Sequence, residues 1–186
     1  IIEAKWKDLG KHISNIIPLS EGERIINSII LEKEEELLLA TKKGLTKVIN
    51  TSTINESRIK KPLTVIKLKE QDELTSVCYA KEKALFITYN GYYLMFNIKQ
   101  IPVLGLKASG VKGISLKEDH LIKALTFDGI DEYLNIFTNN KTAKRIKLNE
   151  LIELNRAKKG YRLIKNVKTV IYNVLDAFIS DSRTLF

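Results

Sequence analysis

The feature that most constrains this chain is an internal repeat. Four segments share one pattern: a short apolar run, then Thr or Ser, then a polar turn. They are Leu37-Leu38-Leu39-Ala40-Thr41-Lys42-Lys43-Gly44, Leu85-Phe86-Ile87-Thr88-Tyr89-Asn90-Gly91, Leu134-Asn135-Ile136-Phe137-Thr138-Asn139-Asn140-Lys141 and Ala177-Phe178-Ile179-Ser180-Asp181-Ser182-Arg183. Their Thr/Ser positions 41, 88, 138 and 180 stand 47, 50 and 42 residues apart. Lys43-Gly44 and Asn90-Gly91 supply the positive φ of a tight turn, so the pattern predicts a β-hairpin. The third and fourth copies lack Gly there and are expected to turn differently.

A second set of apolar runs lies between the hairpins. Leu63–Leu68 precedes the charged turn Glu70-Gln71-Asp72-Glu73 and the run Leu74–Val77, and Val111–Leu116 precedes Lys117-Glu118-Asp119 and Leu121–Leu125. Ile13–Leu19 with Arg24–Leu31 at the start, and Tyr161–Ile164 with Val167–Val174 near the end, repeat the order. Each unit therefore reads as about four short strands rich in β-branched residues. A lone four-stranded sheet leaves an apolar face uncovered, and stacking similar sheets radially buries both faces. The expectation is an all-β propeller of four-stranded blades, about 45–50 residues each. The chain reads as a single domain over 1–186. Its approximate repeats are 36–83, 84–130 and 131–176, with partial units at 1–35 and 177–186 that could together complete one blade. Leu148–Leu154 could instead form a helical turn with Glu150 and Glu153 exposed. The start, Ile-Ile-Glu-Ala-Lys-Trp, has neither an initiator Met nor a signal-peptide pattern and reads as the cut edge of a longer protein.

Charge separates the function classes. The 31 Lys+Arg exceed 22 Asp+Glu by 9. Between Lys141 and Lys168 ten cations, Lys141, Lys144, Arg145, Lys147, Arg156, Lys158, Lys159, Arg162, Lys165 and Lys168, face only Glu150 and Glu153. Such a surface attracts polyanions, above all nucleic acid, through counterion release. The single Cys78 excludes an internal disulfide and a cysteine-rich zinc site, and predicts a reducing, cytoplasmic compartment. His12 and His120 are too few for a metal cluster. The longest uncharged stretch, Ala84–Ile98, is too short for a membrane span. No Gly-Lys-Ser/Thr phosphate loop follows the glycines, and Asp72 with Glu73 falls in a turn, where a structural role outweighs acid–base chemistry.

The segment Ile101-Pro102-Val103-Leu104-Gly105-Leu106-Lys107-Ala108-Ser109-Gly110-Val111-Lys112-Gly113-Ile114, the preceding Phe86–Tyr92 and the early Trp6–Leu19 resemble the C-terminal domain of bacterial type IIA topoisomerase A subunits. The resemblance covers essentially the whole chain. It implies a β-pinwheel, a propeller variant whose neighbouring blades exchange strands. No stretch matches the Gln-Arg-Arg-Gly-Gly-Arg-Gly heptapeptide of the gyrase branch. Leu104–Gly110 lacks its arginines, which favours the topoisomerase IV branch and weakens the case for chiral wrapping.

The resemblance further implies a bacterial, chromosome-associated protein that binds double-stranded DNA and assembles as A2B2 with a B subunit. The parent would use Mg2+ and ATP through other domains and that partner, with no cofactor here. None of the tyrosines stands next to an Arg in the family's cleavage context, so no catalytic residue is expected. The bend in duplex DNA would be driven by cations along the blade rim. After the hairpin turns the candidates are Lys42, Lys43 and Lys47, then Lys141, Lys144 and Arg145. In the connections they are Arg58, Lys60 and Lys61, then Lys107 and Lys112, then Arg156, Lys158 and Lys159. Tyr92, Tyr93, Met95 and Phe96 read as blade core. The alternatives are a gyrase-type wrapping domain and a protein-binding propeller, the latter disfavoured by the missing Trp-Asp and Gly-His repeats.

Overall fold

A computed structural model describes residues 4–31, 34–54, 62–129, 132–165 and 170–182. Three hairpins form its scaffold: β1 (Glu36–Thr41) with β2 (Leu45–Asn50), β4 (Lys83–Thr88) with β5 (Tyr92–Asn97), and β8 (Tyr133–Thr138) with β9 (Ala143–Lys147). Their turns explain the sequence pattern. Gly44 and Gly91 adopt φ of +78° and +75°, and Lys141 takes the same left-handed position in the third hairpin at φ +57°. The preceding threonine closes the first two turns, Thr41 Oγ1 accepting from the Leu45 amide and Thr88 Oγ1 from the Tyr92 amide, both at 3.1 Å.

Each hairpin gains a flank strand from the residues that follow it. β3 (Leu74–Tyr79) pairs with β1, β7 (Leu121–Phe127) with β4 and β11 (Val174–Ser180) with β8, all antiparallel. The charged turns before these strands clasp the hairpins. Asp72 Oδ1 accepts from the Lys43 amide at 2.9 Å, and Asp119 Oδ1 from the Asn90 amide at 3.0 Å. The Asn173 amide donates to Asn139 Oδ1 at 3.0 Å in the third unit.

The fourth strand comes from farther along the chain. β6 (Val111–Lys112) follows the second hairpin yet pairs with β2 of the first sheet, and β10 (Tyr161–Arg162) follows the third hairpin yet pairs with β5 of the second. The sheet orders are β3-β1-β2-β6, β7-β4-β5-β10 and β11-β8-β9 among the described residues. This is the exchange of a pinwheel. It requires Gly110 and Gly160, at φ +89° and +82°, because a Cβ there would lie 2.5 Å from the Thr46 carbonyl oxygen and 1.8 Å from that of Tyr93.

Radial stacking accounts for the continuous apolar runs. Leu38, Ala40 and Val48 face Phe86, Phe96, Leu121 and Ala124 between the first two sheets. Leu85, Ile87, Tyr93 and Met95 face Leu134, Ile136, Val174 and Ala177 between the second and third. Alternate residues of β1 and β4 thus point into different cores, and both sets are apolar. Each fully buried Leu, Ile or Phe contributes about 1.5–3 kcal/mol.

Several expectations change. Ala177–Ser180 does not open a fourth hairpin; it lies in flank strand β11, with Ala177 opposite Ile136. This flank strand ends in Ala-Phe-Ile-Ser, an apolar run closed by a small hydroxyl like the first strands of the hairpins, so it looks like one of them in sequence. The third sheet, and not a composite blade, therefore takes these residues. Leu63–Leu68 forms no strand; Ile66 plugs the core under the first sheet. Ile13–Asn15 is a single 3-10 turn, and Arg24–Leu31 runs irregularly beside β3, held by Asn27 Nδ2 donating to the Val77 carbonyl at 2.7 Å. Leu148–Glu150 is a 3-10 turn with Leu148 buried, while Glu153 bridges to Met95. No helix among the described residues is long and apolar enough to cross a membrane.

Candidate nucleic-acid interface

The strand order sorts charge between two edges. β7 packs beside both β3 and β11, so the flank strands form the inner edge of the stack. β3 carries no charge, and Lys123 of β7 is paired with Asp176 of β11 at 3.1 Å. The opposite, outer edge carries Lys112 on β6 and Arg162 on β10. In the third sheet it is formed by β9, whose Lys144, Arg145 and Lys147 are exposed. Lys112 pairs with Leu45 and Arg162 with Tyr92, the residues immediately after the turn glycines, so the exchange places a cation at the same register in successive sheets.

These edges are joined. The connection 151–160 lies against the exchange strand of the first sheet, with the Ala157 amide donating to the Gly113 carbonyl at 2.7 Å and the Ser115 amide to the Lys158 carbonyl at 2.9 Å. Arg156 Nε donates to the Gln100 carbonyl at 2.9 Å, and its Nη1 to the carbonyl of Lys112. Lys158 and Lys159 remain exposed. Lys159 Nζ and Arg162 Cζ lie 4.2 and 4.6 Å from the Tyr92 ring centroid. Lys144 Nζ of the third sheet donates to the carbonyl of Leu163, the neighbour of Arg162, at 2.8 Å. Arg145 sits 4.0 Å over the Tyr133 ring and donates to the Asp181 carbonyl at 2.6 Å. Lys112, Arg156, Lys158, Lys159, Arg162 and Lys144 therefore succeed one another across three sheets, whereas Arg145, the next residue along β9, turns to the opposite face and crosses Tyr133 toward the end of β11.

Other predicted residues lie elsewhere. Lys47 is fully buried, so it leaves the surface track; its Nζ donates to the carbonyls of Gly105, Leu106 and Ala108 at 2.8, 3.0 and 3.0 Å. Burial pushes its pKa below the ordinary lysine value. Lys42 pairs with Glu73 at 3.0 Å and Lys43 donates to the Glu70 carbonyl at 2.8 Å, both toward the flank-strand turn. Lys107 and Lys141 are exposed, in the connection 101–110 and in the turn of the third hairpin. Arg58, Lys60 and Lys61 lie outside the described residues.

A family described as the DNA gyrase C-terminal domain, a beta-propeller, matches residues 35–77, 82–126 and 132–169, each segment opening just before a hairpin. The chain belongs to the DNA gyrase C-terminal domain family. It is 32% identical to the A subunit of DNA topoisomerase 4 from Staphylococcus epidermidis over 100% of this chain and 24% of that protein, and 32% identical to its counterpart from Bacillus subtilis over 95% and 22%. The chain thus spans about a quarter of the length of these relatives. Among solved structures, the C-terminal domain of DNA topoisomerase IV superposes with a TM-score of 0.88 at 32% identity, over 96% of this chain and 57% of that one. The DNA gyrase A C-terminal domain gives 0.79 at 28%, over 95% and 60%.

Within this DNA gyrase C-terminal domain member, sequence reasoning passed over Arg162 and Tyr92 as site residues. Tyr93, Met95 and Phe96 are core as expected, but Tyr92 is half-buried beneath two cations. Hydrogen bonding from Lys159, then Arg162, holds its phenol pKa below the ordinary value. The signal for Arg162 was present: Gly160-Tyr161-Arg162 repeats Gly110-Val111-Lys112.

Proposed function

We propose that this chain is the duplex-holding module of a topoisomerase IV A subunit, gripping double-stranded DNA along the outer edge of its blades. The observation that supports this most is the succession of cations from Lys112 to Lys144 over three sheets, set against an inner edge whose charges cancel. Contacts of this kind go to phosphates and position the duplex without reading bases. A duplex following a curved edge must bend, at a cost of about 1–6 kcal/mol for 40–90° that phosphate neutralisation offsets. In this reading the parent enzyme, assembled as A2B2 with its B subunit and using Mg2+ and ATP outside this chain, unlinks and relaxes chromosomal DNA in the bacterial cytoplasm. The module selects and guides the duplex to be passed.

The test is duplex binding as a function of salt. The chain should bind mixed-sequence duplex with an affinity that falls steeply with salt. Lys112→Glu, Lys144→Glu and Lys158→Glu together should weaken binding more than tenfold and flatten the log–log salt slope by about 0.9 for each phosphate no longer neutralised. Unchanged affinity and slope sink the outer-edge assignment, and absence of binding at low salt favours a protein-binding propeller.

A further inference from the structure

We infer that Tyr92, Lys159 and Arg162 form a discrete oxyanion site that holds one phosphodiester group at the junction between two repeat units; this rests on the reading of the chain as a duplex-binding module. The site is built from two separate stretches of chain. Tyr92 opens β5 directly after the turn glycine, and Lys159 and Arg162 arrive with the exchange strand of the following unit, Arg162 standing opposite Tyr92 in the β10–β5 pairing. Both cationic heads gather around one aromatic ring, at 4.2 and 4.6 Å from its centroid. Like charges brought together in this way repel, and an anion placed between them relieves the repulsion. The ring orients both heads through its face and its hydroxyl. The three residues lie on the wall of an open cavity of about 530 Å³, to which Lys117 adds a third cation. Glu118 and Asp119 share that wall, so three cations face two carboxylates and the cavity stays positive by one charge; Asp119 Oδ1 is held in the turn by the amides of Asn90 and His120 at 3.0 and 2.8 Å. At the equivalent place in the first sheet, Leu45 stands for Tyr92 and Ser109 for Lys159, so the full triad belongs to the second sheet alone among the described residues. A phosphate of this shape comes from the DNA backbone or from free inorganic phosphate.

The experiment measures duplex affinity and its salt slope for the full chain and four variants, each first checked for an unaltered melting transition. Lys159→Met and Arg162→Gln should each flatten the slope by about 0.9 and weaken binding several-fold. Tyr92→Leu, which removes no charge, should weaken binding about threefold or more at an unchanged slope, since it disturbs only the aim of the cations. Lys99→Met, a cation beyond the far end of β5, should change neither. Inorganic phosphate should displace duplex from the parent chain at lower ionic strength than chloride does, and that advantage should vanish in Arg162→Gln. If the parent chain binds duplex but Lys159→Met and Arg162→Gln match it in affinity and slope, the site is wrong and the module reading stands. Phosphate no more effective than chloride rules out an oriented oxyanion site. No duplex binding by the parent chain removes both.

Discussion

Replacing Gly160 by Ala tests the strand exchange directly. The new Cβ would stand 1.8 Å from the Tyr93 carbonyl oxygen and 2.7 Å from the carbonyl carbon, both backbone atoms that no rotamer change can move. A carbon-to-oxygen approach is comfortable at roughly 3.3 Å, so β10 must retreat by about 1.5 Å. The φ of +82° adds about 1–2 kcal/mol for an L residue. Retreat also breaks the pairing of Tyr161 and Arg162 with β5 and the hydrogen bond from the Leu163 amide to the Gly91 carbonyl, about 1 kcal/mol for each bond. The total is roughly 3–4 kcal/mol, or a melting point lower by about 6–16 °C at this chain length. Gly110→Ala has the same φ penalty but a wider 2.5 Å approach to Thr46, so it should lose less. Gly105→Ala is the control, because nothing lies within 4 Å of its Cβ and it should stay within about 0.5 kcal/mol of the parent. Thermal unfolding ranks the three, and hydrogen exchange at the Leu163 amide reports whether β10 has lifted. A Gly160→Ala chain as stable as Gly105→Ala, with that amide still protected, would refute the exchange geometry.

Two further outcomes follow from single side chains. Lys47→Met should cost about 2–4 kcal/mol in urea unfolding, because three carbonyls lose a charged donor, while the duplex salt slope stays at the parent value; a flatter slope would return Lys47 to the DNA surface. Lys83, bonded to Glu153 at 2.7 Å, ties the connection 151–160 to β4. The hydrogen bond and charge of Glu153, with Glu82 adding to them, outweigh desolvation and raise the Lys83 pKa above its ordinary 10.5. Since the folded value lies above the unfolded one, the stabilisation is complete below pH 10.5 and disappears as pH rises through the folded value. The stability gap between the parent and Glu153→Gln should therefore be constant from about pH 7 to 10 and close above that; a gap that widens at alkaline pH would contradict the pairing.

What could be read from sequence was whatever each unit repeats locally. The hairpins announced themselves because Thr41 and Thr88 each sit three residues before a turn glycine, and the chemistry of that turn is complete within five residues. The doubly apolar runs of β1 and β4 pointed to sheets covered on both faces. Strand exchange was legible only through the resemblance, since β6 and β10 are two residues long and bond to hairpins more than sixty residues back. Periodicity gives the unit but not the partner. The same limit produced the misplacement of Ala177–Ser180: β11 ends in an apolar run closed by Ser180, as the hairpin strands β1, β4 and β8 end in Thr, and only its pairing with β8 marks it as a flank strand.

The candidate site failed and succeeded for a related reason. Lys47 looked like a rim cation because it is charged, yet it alternates with Thr46 and Val48 and falls on the same face as buried Ile49, and the matching position of the second hairpin is Leu94. Both facts mark an inward-facing place. Lys47 fastens the connection 101–110 by donating to three of its carbonyls. The connection 151–160 carries Arg156 where 101–110 has Leu106, and that arginine reaches back to Gln100 and Lys112. One task, fastening a connection to its neighbour, is thus performed from the hairpin in one unit and from the connection in the next. This leaves Leu94 free to be apolar and keeps Lys158 and Lys159 outermost. A swap of Lys47→Leu with Leu106→Arg, which copies the second arrangement into the first, should recover much of the stability that Lys47→Leu alone loses. Additive losses in that double variant would show that the two fastenings are not equivalent.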